Sequence, residues 1–469
     1  HEKQSGAIAN GAIYMQEQMK LLNSNGLTVN VIDSIMGSGK TTWVVDKINK
    51  DKNPKYIVVT PTLSEVARIK EDCPRANFKE PEKKQHGGKY YSLKLLVQDG
   101  ENIVTTHSLF QNLTTEILDG LRSQHYKLVI DEALSCVETY RKINPKDLQL
   151  LFSDGWIYVE PDTHKLRWNN EKTGYYKGQF HLIKKYCNNG NLIYFEESTM
   201  LWEFPIEFLS VFKEVWILTY MFKGSGMANY LLADGTKTSM YSLKGKASKG
   251  NPPQLIKYEE NDEQAIKEVI RKNVTLYEGK LNEVGASSNK KSNPLSKTWL
   301  KNNPEKVGLL KRNLNSYFRY ILKCKSEDII WTTFSKDTDQ FGRETKGMRG
   351  KLQGRGYSKG FIANNTKATN QYIDKSVVAY MQNTFYVPVI RRYFTSRNVK
   401  VYEELFSLCE MIQLIWRSRI RKHEPISVYI PSLRMRHLFK AWLESNNNNE
   451  LLSLIMVIAE ANKFVEKAR

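Results

Sequence analysis

Apolar residues fall into short dense runs separated by stretches with helical spacing. Val29, Val31 and Ile32 form the first run, and Tyr56-Ile-Val-Val-Thr60 the second. Ile103-Val104-Thr105-Thr106 and Tyr126-Lys-Leu-Val-Ile130 are the next two. β-branched runs of this length, stopped by proline or polar residues, read as strands buried on both faces. Between them, Thr42 to Ile48 and Ser64 to Ile69 carry helical periodicity. Strands alternating with helices predict a parallel sheet in an α/β fold, whose ligands sit at the carboxyl ends of the strands.

The rhythm breaks over 140–210, where Trp156, Tyr158, Trp168, Tyr175, Tyr176 and Phe180 lie among polar residues. This reads as an insertion with a small apolar core of its own, in preference to a surface on which bases stack. The sheet resumes at Val215-Trp-Ile-Leu-Thr219. Residues 224–252 are rich in Gly, Ser and Lys and read as a linker. A second α/β unit over 253–450 draws on Leu255-Ile256, on the strand Asp328 to Phe334, and on β-type runs at Phe361, Val377 and Ser427. Within it, Gly342 to Gly360 holds Arg343, Lys346, Arg349, Lys351, Arg355 and Lys359 against the single acid Glu344, which predicts a flexible basic loop. Residues 1–24 read as a leader with a short helix over 13–24, and 451–469 as a C-terminal helix.

The chain has 469 residues, which exceeds a single core and matches this multi-domain layout. Lys and Arg total 70 against 50 Asp and Glu, a formal charge of +20. Such a surplus favours a polyanionic partner, since neutralising phosphates releases counterions. Five cysteines (Cys73, Cys136, Cys187, Cys324, Cys409) are odd in number and far apart, with no zinc-ligand or redox spacing. They read as reduced thiols in a cytosolic setting. No apolar run is long enough to cross a membrane.

The chemistry concentrates after the first strand, at Ser34-Ile-Met-Gly-Ser-Gly-Lys-Thr-Thr42. Strand, glycine turn and helix is the setting in which backbone N–H groups cradle phosphates. Met36, Gly37, Ser38, Gly39, Lys40, Thr41 and Thr42 form the expected nucleotide loop. Lys40 reaches the terminal phosphates and Thr41 ligates magnesium. Ser34 stands where the general pattern begins with glycine. Asp131-Glu132 closes the fourth strand. Asp131 is assigned to magnesium, and Glu132 to orienting or deprotonating the attacking water. ATP and Mg2+ are therefore the expected cofactors.

These segments resemble superfamily 2 helicases. Ser-Ile-Met-Gly-Ser-Gly-Lys-Thr is similar to their motif I, and Asp131-Glu132-Ala133-Leu134 to the Asp-Glu-x-x box. Thr60-Pro61-Thr62 resembles motif Ia, and Thr105-Thr106-His107-Ser108 resembles the nearby nucleic-acid-contacting segment. Trp331-Thr332-Thr333-Phe334 resembles motif IV, and Asn364 to Asn370, with Thr369, motif V. Met411 to Arg421 resembles motif VI, in which a glutamine precedes two arginines. Gln413 and Arg417 match it, while Arg419 and Arg421 flank the position of the second arginine. If helical, Gln413, Arg417 and Arg421 share one face at four-residue steps. The wording of motifs V and VI is similar to that of helicases from phages and large DNA viruses, including origin-binding types.

The resemblance implies two tandem RecA-like parallel-sheet domains with an insertion in the first (25–223) and a C-terminal helical tail. It implies ATP hydrolysis in the cleft between them, with Lys40, Glu132, Gln413, Arg417 and Arg421 catalytic. Thr60, Pro61, Thr62, Thr105, Thr106, Ser108, Thr332, Thr369 and Asn370 would contact nucleic acid. The expected partner is single-stranded or forked nucleic acid, DNA before RNA, together with replication proteins and no membrane. Two rivals stand beside a viral helicase or translocase. One is a terminase-like packaging ATPase, and the other a protein that binds origin or structured DNA with ATP as a switch.

Overall fold

The computed structural model describes residues 27–467 apart from 84–87, 198, 249, 287–292, 339–343 and 364–369. The helix expected over 13–24 and the motif V residue Thr369 lie outside the described residues.

The first lobe is built on a seven-stranded sheet. Its early strands are β1 (Thr28–Asp33), β2 (Tyr56–Thr60), β3 (Ile103–Thr106) and β4 (Lys127–Asp131). The insertion follows, with β5 (Val137–Thr139), β6 (Ile157–Val159), β7 (Leu166–Trp168), β8 (Leu192–Phe195) and β9 (Thr199–Glu203). β10 (Glu214–Thr219), β11 (Lys237–Lys244) and β12 (Gln254–Lys257) complete the large sheet, in the order β12-β11-β1-β10-β4-β2-β3. All neighbours are parallel except β11 and β12. Residues of adjacent registers go to opposite cores. Val29, Val31, Ile57, Val59, Leu128, Ile130, Val215 and Ile217 face one apolar cluster, while Ile32, Tyr56, Val58, Val129, Trp216 and Leu218 face another. Burial on both faces explains the unbroken apolar runs. The first lobe carries the helices α1 (Lys40–Lys50), α2 (Leu63–Asp72) and α3 (Gly226–Asp234), and α4 (Pro388–Ser396), from further along the chain, packs against it.

The insertion folds as the antiparallel sheet β5-β9-β8 plus the hairpin β6-β7. Leu151, Ile157, Leu166, Trp168, Ile183 and Leu192 form its own core, and Trp156, Trp168 and Tyr176 pack ring against ring. The expected satellite core is present, with Tyr175 the most exposed aromatic of the segment.

The second lobe carries β13 (Val274–Leu276), β14 (Ile329–Thr332), β15 (Lys336–Thr338), β16 (Glu344–Lys346), β17 (Val377–Tyr380) and β18 (Ile426–Tyr429). Its parallel sheet runs β13-β18-β17-β14, again with alternate residues in two cores. α5 (Glu403–Ile415) and the C-terminal helix α6 (Asn448–Lys467) pack on this side. The protein is thus α/β, with two tandem parallel-sheet lobes, an insertion in the first and a helical tail.

Three sequence expectations change. Residues 224–252 are not a linker: they hold α3 and β11, and β11 pairs with β1 from Thr28↔Lys237 to Ile32↔Tyr241. Its Lys-Thr-Ser-Met-Tyr-Ser-Leu-Lys sequence is mostly half-buried or exposed, so it carries little of the apolar density that marks a strand. Leu255-Ile256 belongs to β12 of the first sheet, not to the second lobe. The stretch 344–360 is structured, with β16, a short helix Met348–Leu352 and Tyr357 buried in the second lobe's core. Arg343 lies outside the described residues.

The lobes share cores. Ile35, Tyr220 and Met221 of the first lobe join a cluster built mainly from the second lobe. In return, Ile390, Tyr393 and Phe394 of α4 enter the core of the first. Cys73, Cys136, Cys187, Cys324 and Cys409 form no disulfide. No helix among the described residues is long and apolar enough to cross a membrane.

Candidate active site between the lobes

β1 stands at the point where the chain changes direction: its successor β2 lies beyond β10 and β4, whereas β11 lies on its other side. A crevice at the carboxyl ends of the strands opens there. The loop leaving β1 turns at Gly37 (φ 81°) and Gly39 (φ 89°), both left-handed. Gly39 is the N-cap of α1, its carbonyl accepting from Trp43 N at 2.9 Å. A side chain there would be strained and would also strike Ala247, whose Cβ lies 2.3 Å from the position a Cβ would take. Ser38 N is held within the loop by Ile35 O at 3.2 Å, and the start of α1, with Lys40, Thr41 and Thr42 on the crevice wall, brings positive partial charge to it.

Ser34 has a structural reason. Its hydroxyl pairs with Ser242 Oγ at 2.8 Å and accepts Leu243 N at 2.8 Å, which fastens β11 to the loop. Asp33 anchors the other side, accepting Met221 N at 2.8 Å and Phe222 N at 2.9 Å. Burial pushes its carboxyl up to about 7, with those two hydrogen bonds opposing.

Lys40 Nζ donates to Ser34 O (2.6 Å) and Ile35 O (3.1 Å), inside the loop. Desolvation lowers its pKa, while Glu132, Asp131 and Asp33 favour its charge. Asp131 is pushed up to about 7 by burial and by the neighbouring Glu132 and Glu65, against Lys40 and Arg68. His107 Nε2 lies 2.7 Å from Asp131 O and holds the end of β4. Glu132 sits at φ 69°, a left-handed conformation costly for a non-glycine side chain, with its N–H held by Leu218 O at 2.8 Å.

The second lobe faces these groups. A cavity of about 940 Å3 is lined by Met36, Gly37, Gly39, Lys40, Thr41, Thr42, Asp131 and Glu132 from one side and by Cys409, Glu410, Gln413, Trp416, Arg417 and Arg421 from the other. Gln413 Nε2 donates to Cys409 Sγ at 3.5 Å, and Cys409 Sγ donates to Tyr220 O at 3.4 Å. Burial pushes Glu410 up to about 7, Arg417 opposing and Glu132 adding. Burial in turn lowers Arg417, against the attraction of Glu410 and Glu132. Gln413, Arg417 and Arg421 do not form one helical face, because α5 ends at Ile415 with Trp416 as C-cap, and Arg421 lies in the 3-10 turn Arg419–Lys422. They meet in the cavity all the same.

Several residues expected to touch nucleic acid are placed otherwise. Thr60, Thr105 and Thr332 are buried. Thr60 Oγ1 donates to Thr62 O at 3.1 Å, and Thr332 Oγ1 to Ile362 O at 2.7 Å. A hydroxyl closing a strand satisfies backbone carbonyls as readily as it meets a ligand. Pro61 lines the interlobe cavity. Thr62 caps α2, accepting Glu65 N at 3.4 Å. Thr106 is half-buried and Ser108 exposed. Asn370 opens a 3-10 turn, and its side chain lies outside the described residues. The sequence reading missed Glu410, Trp416, Glu65, Arg68 and His107 as wall residues. Of these, His107 and Trp416 carried a signal, each lying inside a motif-like segment.

Fold and site together define a two-lobed α/β protein with a cavity at the seam, lined by the glycine loop after β1 and by the second lobe. Similarity to known proteins places it more closely. The chain is 37% identical over 426 residues to the SPbeta prophage-derived uncharacterized protein YonV of Bacillus subtilis (strain 168), covering 89% of this chain and 99% of that protein. It belongs to the YonV family. The YonV C-terminal Rossmann-like domain matches residues 268–443, and the YonV middle domain residues 137–202. Among solved structures it is similar to one described as XPD helicase (12% identical, 90% of this chain and 95% of that one, TM-score 0.43). Another is the DUF1998 helicase MrfA bound to DNA (10% identical, 97% and 51%, TM-score 0.30).

Proposed function

We propose that this chain hydrolyses ATP and uses the cycle to move along nucleic acid as a helicase or translocase of superfamily 2 type. The observation that carries the reading is the shared cavity. The phosphate loop, the Asp131-Glu132 pair and the Gln413 to Arg421 segment of the other lobe all line it. Its volume of about 940 Å3 matches a nucleotide-sized ligand.

The residues fit ATP and magnesium. Among the described residues, Ser38 Oγ is buried in the loop without a hydrogen-bond partner, and Lys40 donates to the backbone carbonyls of Ser34 and Ile35. Thr41 and Asp131 would hold magnesium, which supplies charge neutralisation across the phosphates. Lys40 would leave Ser34 O and Ile35 O for the terminal phosphates. Glu132, fixed by its backbone, would orient the attacking water, and Arg417 and Arg421 would meet charge developing on the transferred group. Because those arginines come from the second lobe, nucleotide state governs how the lobes press together. The +20 charge and the exposed Ser108 support binding of single-stranded or forked nucleic acid, DNA before RNA. Kinship with a prophage-derived protein supports a role in phage DNA replication or recombination inside the host cytoplasm.

The test is ATP turnover by the wild type and Lys40→Ala, with and without single-stranded DNA, over a salt series. DNA should raise wild-type turnover, salt should reduce the stimulation, and the variant should be inactive yet folded. Turnover surviving in Lys40→Ala sinks the phosphate-loop assignment. Turnover indifferent to DNA and RNA sinks the motor. Strand displacement measured alongside separates unwinding from translocation or plain switched binding.

A further inference from the structure

Trp416 caps the C-terminus of α5 and is 6% exposed, with its ring against the second lobe's core and its edge on the cavity. Its Nε1 is buried and has no hydrogen-bond partner among the described residues. Buried indole N–H groups nearly always find an acceptor, and this group can only donate. A ligand that answers it must therefore offer an oxygen or nitrogen acceptor. The position narrows the choice. Nε1 and Cζ2 both lie 3.9 Å from where a Cβ on Gly37 would stand, so the indole edge faces the phosphate loop itself. The next residue, Arg417, is coupled to Glu132 and Glu410, which sets this wall at the end of the loop where chemistry is expected.

We propose that the Trp416 indole N–H donates to the terminal phosphate of a bound nucleoside triphosphate, making the second lobe a sensor of triphosphate against diphosphate. The inference rests on the cavity being the ATP site. Trp416 joins the two lobes through one donor: with the terminal phosphate present the donor is satisfied, and after its departure the donor is buried without an acceptor. Triphosphate binding then holds α5 against the phosphate loop, and phosphate release loosens it.

Trp416→Phe keeps a packed ring and removes the donor. Binding of a non-hydrolysable ATP analogue and of ADP would be measured by calorimetry for wild type, Trp416→Phe and Lys40→Ala, with melting followed by circular dichroism. The expected result for Trp416→Phe is roughly 3- to 10-fold weaker binding of the triphosphate analogue, the loss of one hydrogen bond, with ADP affinity unchanged. Equal losses for both nucleotides, or no loss for either, overturn the proposal. Wild-type binding that Lys40→Ala abolishes and Trp416→Phe leaves intact overturns it while leaving the ATP-site reading in place. A wild type that binds neither nucleotide overturns both. In the wild-type protein, one indole N–H resonance should move downfield with the triphosphate analogue and not with ADP; the absence of such a shift also counts against the contact.

Discussion

Gly224 lies so close to Leu405 that a Cβ on the glycine would come within 2.9 Å of the Leu405 carbonyl carbon and of Phe406 N. The first belongs to the turn after β10, and the second to α5, the helix that carries Glu410 and Gln413 to the cavity. The glycine sits directly against the Leu405 backbone and against Leu405 Cγ, also 2.9 Å from that Cβ position, so its lack of a side chain lets the two lobes close this tightly.

Gly224→Ala should therefore act at a distance from the chemistry. Backbone on both sides cannot rotate away, so the seam must widen by some tenths of an ångström, at a cost of about 1–3 kcal/mol for overpacking. The expected outcome is a lower melting temperature and reduced ATP turnover, with the phosphate loop unaltered. Wild-type melting and turnover in this variant would show that the seam tolerates the extra methyl group.

Ser34→Gly would restore the glycine that usually opens a phosphate loop, and it should weaken the protein. The hydroxyl accepts Leu243 N and pairs with Ser242, both buried or half-buried, so its removal orphans a backbone donor. Chemical denaturation should show a loss of about 1–3 kcal/mol, plus a smaller part from the freer unfolded chain. Nucleotide affinity should change little, since the backbone cradle stays. Equal stability of variant and wild type would mean that the serine hydroxyl does not fasten β11 to the loop.

Much of this was legible in the sequence because the sheet strands are buried on both faces, and double burial writes itself as dense β-branched runs. Val29 to Ile32 and Leu128 to Ile130 needed no tertiary information. That the glycine loop after β1 and Asp131-Glu132 would meet at one cleft was legible because both stand at the carboxyl ends of strands of one parallel sheet. β11 was not, since a strand with exposed Lys237 and Thr238 looks like a linker until β1 is beside it. Thr60, Thr105 and Thr332 misled for a different reason: a hydroxyl at a strand end has equal use for a carbonyl and for a phosphate, and only burial distinguishes them. Glu410 stands just before the motif VI-like segment and Trp416 inside it, but that motif names only a glutamine and two arginines, and the wall these two residues join exists only once the lobes are docked.

Glu410 gives the seam a pH dependence. Its carboxyl is raised from 4.5 to about 7, chiefly by burial, with Glu132 adding and Arg417 opposing. Below pH 4.5 both folded and unfolded forms are protonated and the group contributes nothing. Between 4.5 and about 7 the unfolded chain releases its proton first, so stability falls as pH rises, and above 7 the full penalty is present. Glu410→Gln removes this titration. Relative to wild type the variant should gain stability from pH 5 to pH 8, by up to about 3 kcal/mol. A stability difference that stays constant over that range would show that Glu410 keeps an ordinary carboxylate pKa in the folded protein.

Glu132 offers the sharpest separation of chemistry from architecture. Its backbone, held at φ 69° with the N–H on Leu218 O, is independent of the side-chain terminus, so Glu132→Gln should leave the turn in place. The amide keeps the shape and loses the charge and the proton acceptor. If the carboxylate orients and deprotonates water, turnover should drop by about 10²- to 10⁴-fold. Triphosphate affinity should hold or improve, because one negative charge leaves the neighbourhood of the phosphates. If the residue serves only to balance Lys40 and Arg417, whose charges it favours, removing it should instead alter nucleotide affinity and melting together, with turnover following occupancy. Single-turnover hydrolysis at saturating ATP distinguishes the two outcomes, and a rate within a few-fold of wild type would exclude Glu132 as the base.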